Sequence, residues 1–187
     1  MLDVLRTRLA GGNPLHLKET LRGAAGAALG IALCGVLARS LMDGRLSFDP
    51  LLVTPIGASA VLVFAVPASP LAQPRAVIGG NVLAALVGVA CGVAFSEPLL
   101  AAAIAVGLAI AVMAVCGCLH PPGGAMALGA AIAASSSNPP GYDYALAPVG
   151  LCSLLLVLAG VAPAEVDWSV AGAGDLFGAG DALPRPG

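Results

Sequence analysis

The sequence has few charged residues. Only 10% of its 187 residues are Asp, Glu, Lys or Arg, whereas 59% are hydrophobic and the mean hydropathy is +0.98. A soluble domain usually has about a quarter of its residues charged. The composition therefore excludes an ordinary soluble domain and indicates an all-α polytopic membrane protein, with the lipid bilayer as its surroundings. The formal net charge is −2, so nothing favours nucleic acid as a partner.

Side-chain groupings that could perform catalysis are also scarce. The hydrophobic segments contain no paired carboxylates, no nucleophile beside a base and no convincing set of metal ligands. Cys116 and Cys118 precede His120, but residues two apart on a helix point in different directions, so a metal site there is disfavoured. We therefore expect no enzyme activity, no cofactor and no metal.

Hydrophobic segments divide the chain into six elements, four of them long and two short. The long ones are residues 21–42, 76–95, 99–119 and 145–161, and the short ones are residues 51–66 and 124–134. Because about 20 apolar residues are needed to span a bilayer, the short elements predict partial or broken helices. Around a transmembrane domain at 21–163 we expect a cytoplasmic N-terminal segment at 1–20 and a flexible, glycine-rich tail at 164–187.

Basic residues are concentrated before the first long element, at Arg6, Arg8, Lys18 and Arg22, with Arg39 and Arg45 after it. The positive-inside rule then predicts a cytoplasmic N-terminus. We expect an integral protein of the bacterial inner membrane. The oligomeric state stays open, with a homo-oligomer as one option because so small a fold often gains from subunit packing.

Residues 120–124, His-Pro-Pro-Gly-Gly, interrupt the apolar sequence. Proline removes a backbone donor and blocks helix continuation, and glycine lets other groups come close. Irregular backbone at membrane depth is tolerated only where it is buried in protein or lines a cavity. The interruption is therefore the first place to look for function.

A second segment resembles this interruption. A shift of 66 positions places residues 54–58, Thr-Pro-Ile-Gly-Ala, on residues 120–124 and also aligns Ser69 with Ser135. The pattern predicts two repeat halves, about 21–95 and 98–163, each with a long, a short and a long element. The halves are inverted if the short helices cross the membrane and parallel if they re-enter, and both arrangements stay open.

Both interruptions have the residue pattern of a helix start. Proline is favoured at the first helical position, and Thr54 is a good N-cap, with His120 in the equivalent place. Helix N-termini offer free N–H groups and positive dipole ends, so two facing starts predict a site for a small inorganic anion. The candidate substrate-binding residues are Thr54, Pro55, Gly57, Ala58, Ser59, Asn81, His120, Pro121, Pro122, Gly123 and Gly124.

Three of the polar residues have alternative interpretations. His120 could contact or titrate with the anion, or could be a neutral ring that caps a helix or bonds a backbone carbonyl. Asn81 could line the same cavity or bond a neighbouring helix. Arg75 is expected to anchor a loop rather than to bind a ligand.

Residues 120–125 resemble the signature of the HPP family of integral membrane proteins, which is named for the His-Pro-Pro tripeptide. Residues 55–61 and 69–75 look like other recurring stretches of that family, although Asn81 stands where many members have histidine. Family members in chloroplasts and cyanobacteria are implicated in nitrite transport. The resemblance thus implies a transporter or channel for a small anion, nitrite first. The alternative is a non-transporting membrane protein in which the interruptions serve close packing and assembly.

Overall fold

The computed structural model describes residues 14–41, 50–136 and 139–161. Within them there is no strand, and the α-helices are α1 Pro14–Leu41, α2 Pro50–Ala65, α3 Pro74–Ala94, α4 Pro98–Val115, α5 Pro121–Ala134 and α6 Gly150–Val161. A 3-10 turn, Pro70–Ala72, precedes α3, and a π-helical turn, Ala145–Val149, precedes α6. The expectations for most of the N-terminal segment and for the tail at 164–187 lie outside the described residues.

Three described segments are long and apolar enough to cross a membrane, namely Thr20–Ser40, Pro74–Ala94 and Pro98–Val115. They correspond to three of the four long elements that the sequence predicts. The fourth is divided, because the π-helical turn contains Pro148 and only 12 residues of α-helix follow it. Proline cannot make the regular α-helical hydrogen bond, so a local change of helix type is expected there. Four long helices are thus not confirmed.

The outer surface of the bundle is apolar. Large hydrophobic side chains are exposed on several helices, among them Leu29 on α1, Val93 on α3 and Leu99 on α4, which is 76% exposed. An apolar surface this extensive is unfavourable in water and suits contact with lipid tails. The exposed faces agree with the lengths of the helices in indicating a membrane protein.

Five of the six α-helices begin at a proline, at Pro14, Pro50, Pro74, Pro98 and Pro121. The first N–H groups of a helix have no partner within it, so a proline there forfeits nothing, and its fixed φ angle suits the helix. The predicted helix start at Pro121 is confirmed.

The predicted helix start at Pro55 is wrong. Helix α2 begins at Pro50, so Pro55 lies inside it and Thr54 does not cap it. A helix that began at Pro55 would leave the backbone groups of the preceding turn without partners in an apolar environment. A helix that begins at Pro50 forfeits only the one hydrogen bond that Pro55 cannot make. Pro55 and Pro121 are therefore not structurally equivalent, and the repeat as a whole stays a prediction.

Helix α3 lies at the centre and packs against α4, α5 and α6. Its contact with α5 depends on small residues. A Cβ atom on Gly88 would collide with the carbonyl oxygen of Ala127, and one on Gly92 would lie 2.5 Å from that of Ala131. The two backbones therefore approach closely, as is common where membrane helices associate.

Helix α4 ends in a left-handed turn at Gly117, where φ is +62°. The guanidinium of Arg75 donates to the carbonyl of Cys116 beside this turn. Arg75 thus holds the end of α4 against the start of α3, which is the anchoring contact that the sequence predicts.

We expect the Gly117→Ala variant to be less stable by about 1–2 kcal/mol, because a left-handed backbone places Cβ against the following carbonyl. Gly117→Asn should lose less stability than Gly117→Ala, since asparagine tolerates the left-handed backbone conformation better than alanine does. Thermal unfolding in detergent measures both variants. Gly107→Ala is the control, because a Cβ atom there would meet nothing within 4 Å. Equal melting temperatures for wild type and Gly117→Ala would contradict the prediction.

Candidate functional site

Buried polar side chains from four parts of the bundle meet in a single hydrogen-bonded unit, which we call the polar cluster. It consists of Ser59 on α2, Asn81 on α3, His120 before α5 and Ser153 on α6, each 0% exposed. His120 Nε2 lies 2.9 Å from Ser59 Oγ. The amide of Asn81 donates to Ser59 Oγ at 3.0 Å and to Ser153 Oγ at 3.1 Å. The cluster thus links residues far apart in the sequence.

His120 is held at both ring nitrogens. Its backbone is extended, with φ −138° and ψ 108°, and it precedes α5 without a side-chain capping bond. Nδ1 lies 2.8 Å from the carbonyl oxygen of Leu71, in the 3-10 turn. A carbonyl can only accept, so Nδ1 carries a proton. This hydrogen bond agrees with the alternative interpretation of His120, in which the ring bonds a backbone carbonyl.

The hydroxyl of Ser59 is shared among three groups. Besides His120 and Asn81, it lies 3.0 Å from the carbonyl oxygen of Pro55 on its own helix. The hydroxyl has one hydrogen, which can go either to Pro55 or to Nε2 of His120. A neutral ring accepts it at Nε2, whereas a doubly protonated ring donates to Ser59 and directs the hydroxyl hydrogen to Pro55. The position of this hydrogen is therefore linked to the charge of His120.

Glycines let α3 and the start of α5 approach each other closely beside His120. A Cβ atom on Gly80 would lie 2.5 Å from Cβ of His120 and 2.8 Å from the carbonyl oxygen of Cys118. One on Gly123 would lie 2.8 Å from Sδ of Met113. A Cβ atom on Gly123 would also lie 3.2 Å from the carbonyl oxygen of Gly80, so a neighbouring backbone approaches Gly123 closely, which the sequence predicts as one use of the glycines.

The predicted anion site at paired helix N-termini does not form. Pro55 lies inside α2, so only α5 has its N-terminus at the cluster. Pro121 and Pro122 have no N–H groups, and the N–H of Gly123 is bonded to the carbonyl of His120 at 2.8 Å. The same prolines that start the helix therefore remove the backbone donors that would bind an anion.

The structure brings together Ser59, Asn81 and His120 among the predicted residues, with Pro55 joined through its carbonyl. The other predicted substrate-binding residues take no part in these hydrogen bonds. Thr54, Ala58 and Pro121 are exposed, Gly57 and Gly124 are partly exposed, and Pro122 and Gly123 are buried in packing contacts. Asn81 bonds neighbouring helices, as one of its two interpretations predicts.

Sequence reasoning missed Ser153 and the carbonyl of Leu71. Ser153 is the single hydroxyl residue in residues 150–161, and that isolation in an apolar helix is a signal that could have identified it. No side-chain pattern could have identified Leu71, because its contribution is a backbone oxygen placed by the 3-10 turn.

We expect Ser153→Ala to lower the stability by about 1–3 kcal/mol, because it leaves an N–H group of Asn81 buried without an acceptor. Ser135→Ala is the matched control, since Ser135 Oγ bonds only to the carbonyl of Ala131 on its own helix. Thermal unfolding of the two purified variants in detergent gives the comparison. Equal losses of stability in the two variants would show that the hydrogen bond between Ser153 and Asn81 contributes nothing to the stability of the protein.

The spanning helices, the exposed apolar faces and the buried polar cluster together define a polytopic helical membrane protein. The family described as "HPP, transmembrane region" matches residues 13–169. The match covers most of the chain, which therefore belongs to the HPP transmembrane family.

Two transmembrane proteins of Dictyostelium discoideum are similar to this chain. One is 37% identical over 131 residues, which cover 66% of this chain and 42% of the relative. The other is 45% identical over 101 residues, which cover 50% of this chain and 35% of the relative. The chain thus matches less than half the length of either relative. No solved structure matches it significantly.

Proposed function

We propose that the chain is a membrane transporter or channel for a small inorganic anion, with nitrite as the first candidate. The observation that carries the proposal is the polar cluster, because buried polar side chains inside a membrane bundle are costly and usually serve a function. The choice of nitrite rests on the resemblance to family members implicated in nitrite transport.

The polar cluster replaces the paired helix N-termini as the proposed binding site. The hydroxyl of Ser153 and the amide oxygen of Asn81 can hydrogen-bond a small polar solute, and no Lys, Arg, Asp or Glu belongs to the cluster. Its members come from separate helices, so a small movement of α2 or α6 relative to α3 would admit a solute beside them. We propose a cytoplasmic N-terminus in the bacterial inner membrane as the setting.

A non-transporting assembly protein is the second candidate. The close contact of α3 with α5 through Gly88 and Gly92 favours it, because such contacts can exist for packing alone. That interpretation gives the polar cluster a structural role only, so replacing its members would change stability without changing the passage of any solute.

A flux assay separates the two candidates. The purified protein is reconstituted into liposomes, and uptake of nitrite, nitrate, formate and chloride is compared with uptake by empty liposomes. If the protein is a transporter, we expect more nitrite uptake than in empty liposomes, and different rates of uptake for the four anions. Equal uptake with and without protein for all four anions would contradict it and favour the assembly role.

A further inference from the structure

The N–H donors of the polar cluster are already in use. Both amide hydrogens of Asn81 go to hydroxyl oxygens, on Ser59 and Ser153. The proton on Nδ1 of His120 goes to the carbonyl of Leu71. A bare anion, which can only accept hydrogen bonds, thus meets no unused N–H group among these side chains.

The unused group is an acceptor. Asn81 Oδ1 is the one buried side-chain nitrogen or oxygen, in the part of the chain that the structure describes, that has no hydrogen-bond partner. Asn81 is 0% exposed, and a buried acceptor without a partner costs about 1–3 kcal/mol. Such an atom calls for a donor, and a bare anion beside it would place two acceptors against each other.

A hydroxyl group is bonded to the same amide. Ser153 Oγ accepts from the same amide at 3.1 Å, and its own hydrogen can be donated to a further oxygen. The amide group of Asn81 and the hydroxyl bonded to it therefore offer one acceptor, Oδ1, and one donor, the Ser153 O–H. An undissociated oxyacid, with one O–H and one unprotonated oxygen, has the complementary pair.

We propose that the solute binds the polar cluster as the undissociated acid, with its hydroxyl donating to Asn81 Oδ1, so that the anion and one proton cross together. This inference rests on the proposed function, since it concerns the form in which the same solute is bound. Each transport event then carries no net charge. For nitrite, the bound species is nitrous acid, and the proton leaves with the anion on the far side.

The test uses the full chain in liposomes with a membrane potential set by a potassium gradient and valinomycin, and a pH-sensitive dye inside. Uptake by empty liposomes is subtracted at every pH, because small undissociated acids cross lipid unaided. At fixed total nitrite we expect protein-dependent uptake to rise about tenfold per unit fall in external pH, as the concentration of undissociated acid does. The potential should leave the rate unchanged, and the lumen should acidify with uptake.

Asn81→Leu removes the acceptor at similar volume, together with the amide donors to Ser59 and Ser153. We expect it to reduce protein-dependent uptake at least about tenfold, the effect of losing at least one hydrogen bond at the solute. Ser135→Ala should transport as wild type does. Unchanged uptake by Asn81→Leu would overturn the inference and assign Oδ1 a structural partner such as water. If that variant fails to fold, the potential dependence of the wild type decides alone.

The failures of the two proposals are distinguishable. Nitrite uptake that follows the membrane potential without acidifying the lumen would overturn the inference and leave the proposed function standing. Uptake equal to that of empty liposomes for all four anions would overturn both.

Discussion

We expect the replacement of His120 by alanine to reduce the proposed uptake of nitrite into proteoliposomes at least about tenfold. The side chain makes two of the contacts that assemble the polar cluster, to Ser59 Oγ at 2.9 Å and to the carbonyl of Leu71 at 2.8 Å. Its removal deprives the partly buried carbonyl of Leu71 of a donor and the buried hydroxyl of Ser59 of a partner. The loss of such a hydrogen bond costs about 1–3 kcal/mol, and each step of about 1.4 kcal/mol corresponds to a factor of ten. Uptake is measured as the difference from empty liposomes.

The control for this variant is the Ser135→Ala protein, reconstituted at the same protein-to-lipid ratio. Gel filtration and thermal unfolding in detergent establish that both variants are folded. His120→Gln, which keeps a hydrogen-bonding group, should retain more uptake than His120→Ala. A folded His120→Ala protein that takes up nitrite at the wild-type rate would exclude this residue from the transport site.

The second large effect is on assembly of the bundle. Gly88→Ala and Gly92→Ala place a Cβ atom against the backbone of α5, at the carbonyls of Ala127 and Ala131. Backbone cannot move aside as a flexible side chain can, so each variant should lose about 1–3 kcal/mol of stability, and leucine at either position should prevent folding. The melting temperature in detergent and the yield of monodisperse protein measure the loss.

Gly107→Ala is the matched control for these variants. It lies in the middle of α4, and a Cβ atom there would meet nothing within 4 Å. Alanine favours a helix by about 1 kcal/mol over glycine, so this change should be neutral or stabilising. A loss for Gly107→Ala as large as that for Gly88→Ala would mean that helix propensity, not close packing, governs the response.

Hydropathy was enough to predict the helical class and the approximate limits of α3 and α4, whereas α1 begins seven residues before the predicted element and the fourth long element is divided. The start of α5 was also predictable, because Pro121 follows an apolar helix and cannot continue it. The position of Pro55 inside α2 was not predictable, although the local sequence pattern is similar to that at Pro121. Its placement depends on Pro50 one turn earlier, and on the cost of leaving backbone groups unpaired in an apolar environment. This comparison of backbone hydrogen bonds involves the whole helix, so a motif of five residues does not reveal it.

The membership of the polar cluster was predictable only in part. His120, Ser59 and Asn81 stand out as polar residues in apolar segments, which is a signal that sequence carries. The partners of each side chain could not be predicted, because contacts such as that between Asn81 and Ser153 depend on how α3 and α6 pack. The absence of N–H groups at Pro121 and Pro122, by contrast, follows from the sequence.

Binding of nitrite to the purified protein tests the central claim most directly. A ligand that binds only the folded state raises its stability by RT ln(1 + [L]/Kd), so the melting temperature should rise with nitrite concentration and saturate. We predict this rise for the wild type and for Ser135→Ala, and its loss in folded His120→Ala and Asn81→Leu. An equal rise in all four proteins, or none in the wild type, would contradict the assignment of the polar cluster as the solute site.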